Sequence, residues 1–202
     1  MKKLIILFLL ALPLIVGAQN KGDISKYLKG AVTLTNGKVT FERTFDVPGK
    51  DKAEIYQLLK SYTHSEILEG PNHLEQCSFT EEDSINGILA ASVEEYLYFK
   101  RTNWVNHRVR FYYQLIYKIE DNRFTVTLRR MHYLYDDIPS SEVYYAEQWI
   151  TDFNALKNNG KKLTRIGGKF RRYTIDRKDE IFMGAGKATG AKFKKRVIEV
   201  EE

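Results

Sequence analysis

The sequence predicts an α+β domain, an antiparallel sheet with helices on one face, in the order β-α-β-β-β-β-α. Three observations carry that prediction. Residues 39–47 alternate between apolar and polar. Ile55, Leu58, Leu59 and Tyr62 recur at helical spacing. Residues 108–135 form two long runs that match each other across a two-residue turn. An amphipathic helix must bury its stripe, whereas an antiparallel sheet can leave one face wet, so both helices belong on the same face.

The first strand follows the turn signal Asn36-Gly37 and places Val39, Phe41, Phe45 and Val47 on one side. Thr40, Glu42, Thr44 and Asp46 fall on the other, and Pro48-Gly49 ends the run. Asp51-Lys52-Ala53-Glu54 then reads as a capping box opening a helix over 52–62. Residues 64–73, with Gly70-Pro71, read as a connecting loop. Two shorter strands follow, at 75–80 and 88–100; the single cysteine, Cys77, reads as a small buried hydrophobe in the first of them. The long strands 108–120 and 123–135 meet at Asp121-Asn122, a two-residue hairpin loop. With Glu120 opposite Arg123, Ile119 faces Phe124, Tyr117 faces Val126 and Leu115 faces Leu128. A slip of one residue would destroy that match, so the register is specified.

Residues 144–150 fit either a last strand or a short helix. Thr174 reads as the cap of a helix over 176–183, and the glycine-rich 184–190 as low in complexity. The predicted divisions are a signal peptide at 1–18, an irregular lead-in at 19–31 with Tyr27 and Leu28 docking on the body, the α+β domain at 32–183, and a mobile basic and acidic tail at 184–202. This order matches one TATA-binding-protein-like unit; a helix-grip fold, with more strands around a long C-terminal helix, is the nearest competitor.

The first eighteen residues supply an address. Lys2 and Lys3 precede an apolar run from Leu4 to Val16, and Val16-Gly17-Ala18 offers small residues for cleavage before Gln19. That is the layout of a secretory signal peptide, too short to span a bilayer, so a periplasmic or secreted mature chain beginning at Gln19 is expected. One cysteine in an exported chain excludes an internal disulfide, so packing alone must hold the fold. The net charge of +6 is uneven: residues 155–202 hold fourteen lysines and arginines against six acids. That basic end either docks on the acidic body or meets an anionic partner.

Four stretches resemble a known family: Glu94-Glu95-Tyr96-Leu97-Tyr98-Phe99-Lys100, Phe111-Tyr112-Tyr113-Gln114-Leu115, Ala146-Glu147-Gln148-Trp149-Ile150-Thr151-Asp152, and Gly168-Lys169-Phe170-Arg171-Arg172-Tyr173-Thr174-Ile175-Asp176. Through them the chain is similar to exported proteins of Bacteroides-type bacteria grouped as a domain of unknown function with a TATA-binding-protein-like fold. The resemblance implies that fold and export, and carries no activity with it.

Motifs for chemistry are sparse. His64, His73 and Cys77, with Glu69 and Glu75, match no zinc spacing, and surface histidines with a buried thiol are the expectation. His132 with Asp136 or Asp137 would make a base and its orienter, but no nucleophile sits at a recognisable elbow, and the register puts His132 on the helix-covered face. There is no P-loop or dinucleotide fingerprint, so no cofactor, no metal and no enzyme are expected; hydrolase-like activity is the lesser alternative. The basic stretch Lys161–Arg172 would suggest nucleic acid in a cytoplasmic protein, but export and the lack of a duplicated saddle argue against it. Weak attraction of that stretch to anionic envelope components is retained.

The face opposite the helices is the candidate surface. The alternation assigns to it Tyr96, Tyr98, Arg110, Tyr112, Gln114, Arg129, Met131 and Tyr133, joined by Glu94, Ile116 and Thr127. Tyrosine gives rigid apolar area with a polar tip, and arginine stacks on it or forks to carboxylates. The expected function is a non-catalytic binding module of the envelope, for a protein, peptide or glycan; a helix-grip carrier of small apolar ligands is the alternative. Tyr112 and Arg129, as wet-face residues, should be nearly neutral for folding.

Overall fold

Seven strands carry the alternation read above into one antiparallel sheet, in the spatial order 34–35, 38–46, 123–134, 106–120, 88–101 and 78–83, with 144–145 beside 123–134. The computed structural model describes residues 23–102, 104, 106–135 and 142–193. The signal-peptide assignment at 1–18 and the end of the predicted tail therefore lie outside the described residues, as do Asp136 and Asp137. The strands are β1 (Leu34–Thr35), β2 (Lys38–Asp46), β3 (Ser78–Asp83), β4 (Ile88–Arg101), β5 (Asn106–Glu120), β6 (Arg123–Leu134) and β7 (Tyr144–Tyr145). The helices are α1 (Lys52–Tyr62), α2 (Ala146–Trp149), α3 (Asp152–Ala155) and α4 (Gly167–Thr189), with a small hairpin of β8 (Leu156–Lys157) and β9 (Lys162–Leu163) before α4.

The β5–β6 register is the predicted one near the turn: Glu120 pairs with Arg123, Ile119 with Phe124, Tyr117 with Val126 and Leu115 with Leu128, all apolar members being buried. α1 has its expected limits, and the Asp51 carboxylate accepts from Glu54 N at 2.8 Å. Its last turn continues as a wide helical segment, Thr63–Leu68, where a loop was expected. The continuation follows from burial, since Ile67 and Leu68 join the core and Thr63 Oγ1 donates to Tyr117 Oη at 3.2 Å.

α4 departs most from expectation. It starts nine residues earlier than 176–183 and runs through the glycine-rich segment to Thr189, with Gly190 in the left-handed conformation closing it. Thr174 is no cap. It lies buried in mid-helix, its hydroxyl 2.6 Å from Tyr133 Oη. The glycines that suggest a tail are contact points. A Cβ at Gly184 would lie 2.2 Å from Tyr62 Oη, and one at Gly186 2.9 Å from the Phe45 ring. Only a bare backbone lets α4 approach α1 and β2 so closely.

Between sheet and α4 the space is filled by aromatic rings. Phe170 lies 4.8 Å from Phe99, 4.9 Å from Tyr133 and 5.0 Å from Trp149, centroid to centroid. The lead-in also docks. Tyr27 is buried and donates to Asp176 at 2.7 Å, while the fully buried Arg171 donates to the carbonyls of Tyr27, Leu28 and Ile150. Residues 144–150 are both things the pattern allowed, the strand β7 followed by the turn of helix α2. Cys77 precedes β3 and is only half-buried, its Sγ donating to the Glu94 carbonyl at 3.0 Å.

Candidate functional site

One residue decides which side chains reach the open face. In β6, pairing with β5 shifts between Arg129 opposite Gln114 and His132 opposite Tyr112, leaving an extra residue at Arg130, whose φ is +56°. Alternation therefore inverts beyond the bulge. Met131 (1 % exposed) and Tyr133 (0 %), expected on the open face, are core residues. Conversely His132, expected under the helices, stands on the open face with its ring stacked on Tyr112, 4.5 Å away and inclined 6°. Burial pushes the His132 pKa below its ordinary 6.5 and so favours the uncharged imidazole.

The other assignments to this face hold, but their partners differ. Tyr96 and Tyr98 lie side by side, each under an arginine: Arg108 is 3.6 Å from the Tyr96 ring centre and Arg101 is 4.9 Å from that of Tyr98. Arg129 Nε donates to Gln114 Oε1 at 2.9 Å and remains exposed. Glu94 is 3 % exposed, and its Oε1 accepts from Tyr112 Oη at 2.7 Å and from Arg110 at 3.2 Å. Burial and this bond to Glu94 raise the Tyr112 pKa above its ordinary value. Tyr112 is thus a structural partner of a buried carboxylate, not a neutral surface residue. Tyr112→Phe should lower the unfolding free energy by about 1–3 kcal/mol, because Glu94 keeps its burial and loses a donor. Urea denaturation checks this; a loss below about 0.5 kcal/mol would return Tyr112 to the surface class.

The sheet's free face is hollowed where β2 meets β6. A cavity of about 760 Å³ is floored by Thr40, Glu42, Ile116 and Thr127 and bordered by Lys38, Lys118, Arg129, Arg130, Tyr145 and Glu147. A smaller hollow of about 260 Å³, between Ser92, Tyr112 and Gln114, shares Arg130 and His132 with it. The bulge is therefore the saddle between two adjoining depressions. Four cations face two carboxylates in the larger one, and both carboxylates are engaged. Glu42 accepts from Thr127 Oγ1 at 3.1 Å and Glu147 from Val39 N at 3.0 Å. The arrangement can hold an anionic, partly apolar ligand by charge-assisted hydrogen bonds. Sequence reasoning missed Lys38, Lys118, Arg130, Tyr145 and Glu147. The polar side of β2 was legible, but its place beside β6 was not.

Elsewhere the chemically suggestive groups are dispersed. His64 pairs with Glu69 at 3.3 Å, the His73 ring bonds to the Gly70 carbonyl, and Cys77 to that of Glu94. Among the described residues, no three histidines, cysteines or acids gather as a metal site.

Residues 41–134 match the sequence profile of a domain of unknown function, DUF4468, with a TBP-like fold. The chain is similar to the crystal structure of a DUF4468 family protein from Bacteroides ovatus, at 31 % identity and a TM-score of 0.76, covering 87 % of this chain and 99 % of that one. A TBP-like protein from Parabacteroides distasonis is similar in fold, at 18 % identity and a TM-score of 0.60, over 79 % of this chain and 98 % of that one. No curated protein matches the sequence. Helices on one side of an antiparallel meander, and the shared sequence over nearly all of the relative from Bacteroides ovatus, lead to one conclusion: the chain belongs to the DUF4468 family of TBP-like domains.

Proposed function

We propose that the protein is an exported, non-catalytic binding module that takes an anionic segment of an envelope peptide or glycan into the hollow on its free sheet face. The observation that supports this reading is the hollow itself, about 760 Å³, with Lys38, Lys118, Arg129 and Arg130 outnumbering its two carboxylates, Glu42 and Glu147, both of which already accept hydrogen bonds. A pocket of this size with a few convergent polar groups suits a small ligand or the end of a chain. The alternative, a carrier of apolar ligands between sheet and C-terminal helix, would need room where the rings of Phe170, Phe99, Tyr133 and Trp149 already meet. Export rests on the layout of residues 1–18.

The test is capture from the host's own envelope extract by the immobilised chain from Gln19 onward, followed by salt elution. A retained ligand should be released by salt, and Lys118→Ala and Arg129→Ala should each weaken its binding by about 1–2 kcal/mol. Both side chains are at the surface, so melting should barely change. Capture unaffected by the two substitutions would move the site off this face.

A further inference from the structure

We propose a second surface, distinct from the hollow: the end of the domain formed by the β4–β5 hairpin tip and the start of α4 docks on an anionic lipid surface. The two elements meet there. Lys169 Nζ lies 2.9 Å from His107 Nδ1 and 4.7 Å from the Phe99 ring centre, and Tyr173 Oη donates to the Phe99 carbonyl at 2.7 Å. α3 joins them, because Gly167 sits against the carbonyls of Trp149 and Asn154. Three large apolar side chains protrude from this end: Trp104 is 94 % exposed, Phe153 92 % and Ile166 58 %. Elsewhere among the described residues, Ile85 (82 % exposed) lies in the turn before β4, beyond the opposite end of the sheet, and Leu34 (55 %) in the edge strand β1.

The same end carries exposed cations on the hairpin and around the start of α4: Lys100 and Arg101, Lys161 and Lys162 at β9, and Arg165 before α4. Asp152, the acid beside Phe153, is committed to Arg171 at 2.7 Å. Protein–protein interfaces gather apolar residues in a contiguous core from which lysine is depleted. Here single apolar tips on separate loops are interspersed with lysine and arginine. That pattern suits a headgroup layer, where tryptophan sits at the apolar boundary and long basic side chains reach phosphates. Each basic residue near such a surface strengthens attachment about fivefold, over distances of roughly a Debye length.

The test uses the chain from Gln19, which keeps every contact described above and lacks the apolar run Leu4–Val16 that would itself bind lipid. It is sedimented with vesicles of phosphatidylethanolamine and phosphatidylglycerol, and with vesicles of phosphatidylcholine alone. Binding should require phosphatidylglycerol, weaken with salt, and shift tryptophan emission to the blue; the shift should vanish in Trp104→Phe, since Trp149 packs against Phe170 in either state. Replacing Trp104, Phe153 and Ile166 together with serine should weaken binding by about tenfold or more. Lys161→Ala, Lys162→Ala and Arg165→Ala should each weaken it about fivefold, with melting unchanged. Absence of binding, full binding by the triple serine variant, or binding without a Trp104 shift would each overturn the proposal. So would lipid-free sedimentation that the serine variant abolishes, since that marks self-association through these tips.

Discussion

Arg177→Ala should lower the unfolding free energy by about 3–5 kcal/mol, although Arg177 sits on a helix flank and carries no candidate function. Its Nε and one terminal nitrogen grip both oxygens of Glu95, at 2.8 and 2.7 Å, and Tyr113 Oη donates to the same carboxylate at 3.1 Å. The Glu95 side chain is 2 % exposed on the helix-covered face of β4, so this pair ties α4 to the sheet through a desolvated charge. Burial works against the guanidinium's charge, but its bonds to Glu95 outweigh that and hold its pKa above the ordinary value. Truncation to alanine leaves a carboxylate buried without its counter-ion, which is where the large loss comes from. The double variant Glu95→Leu/Arg177→Met removes both charges and keeps the volume, and should recover most of the loss. Urea denaturation of the three proteins decides it. A single variant within about 1 kcal/mol of the parent would show that water reaches Glu95.

Tyr133→Ala should be the most damaging substitution in β6, because the bulge at Arg130 turns this side chain into the core. Without the bulge, strict alternation would put Met131 and Tyr133 on the open face and draw His132 beneath α4. Tyr133 fills the space against Phe111 and Phe170, at ring distances of 5.2 and 4.9 Å, and donates to or accepts from Thr174. Emptying that one position costs about 3–5 kcal/mol. Arg130→Gly should do the reverse. It keeps the extra residue and relieves an L side chain of a φ of +56°, so stability should be unchanged or rise by up to about 1 kcal/mol. Thermal melts of the two variants should move apart. An alanine variant as stable as the glycine variant would mean that the Tyr133 ring does not fill this space.

That bulge marks where reading the chain fails. From Arg123 to Arg129 the period of two is intact, and every facing pair follows from the turn Asp121-Asn122. Beyond it, Met131 and Tyr133 look like open-face residues because nothing local announces an extra residue: arginine is a poor occupant of positive φ, and no glycine stands there. Packing of Tyr133 against α4 imposes the bulge from outside the strand. The same cause hid α4. Its N-terminal half sets cations at the positive end of the helix dipole and its C-terminal half is rich in glycine, both locally unfavourable, yet Gly184 and Gly186 are what let the helix lie against Tyr62 and Phe45.

The candidate site divides along the same line. Tyr96, Tyr98, Arg110, Tyr112, Gln114 and Arg129 were legible as one face because alternation is a local property. The hollow was not, because it needs β2 beside β6, which brings Thr40 to Arg129 and Glu42 to Thr127 across most of the domain's sequence. The sequence by itself determined the α+β class, the limits of α1, the β5–β6 hairpin and its register near the turn, since each follows from spacing and turn chemistry within a few residues. Tertiary structure alone decided the length of α4, the inversion at Arg130 and the engagement of Tyr112 by Glu94. Those depend on which distant surfaces must be filled and which buried charge must be met, and the free energy of such contacts appears only once the chain has closed on itself.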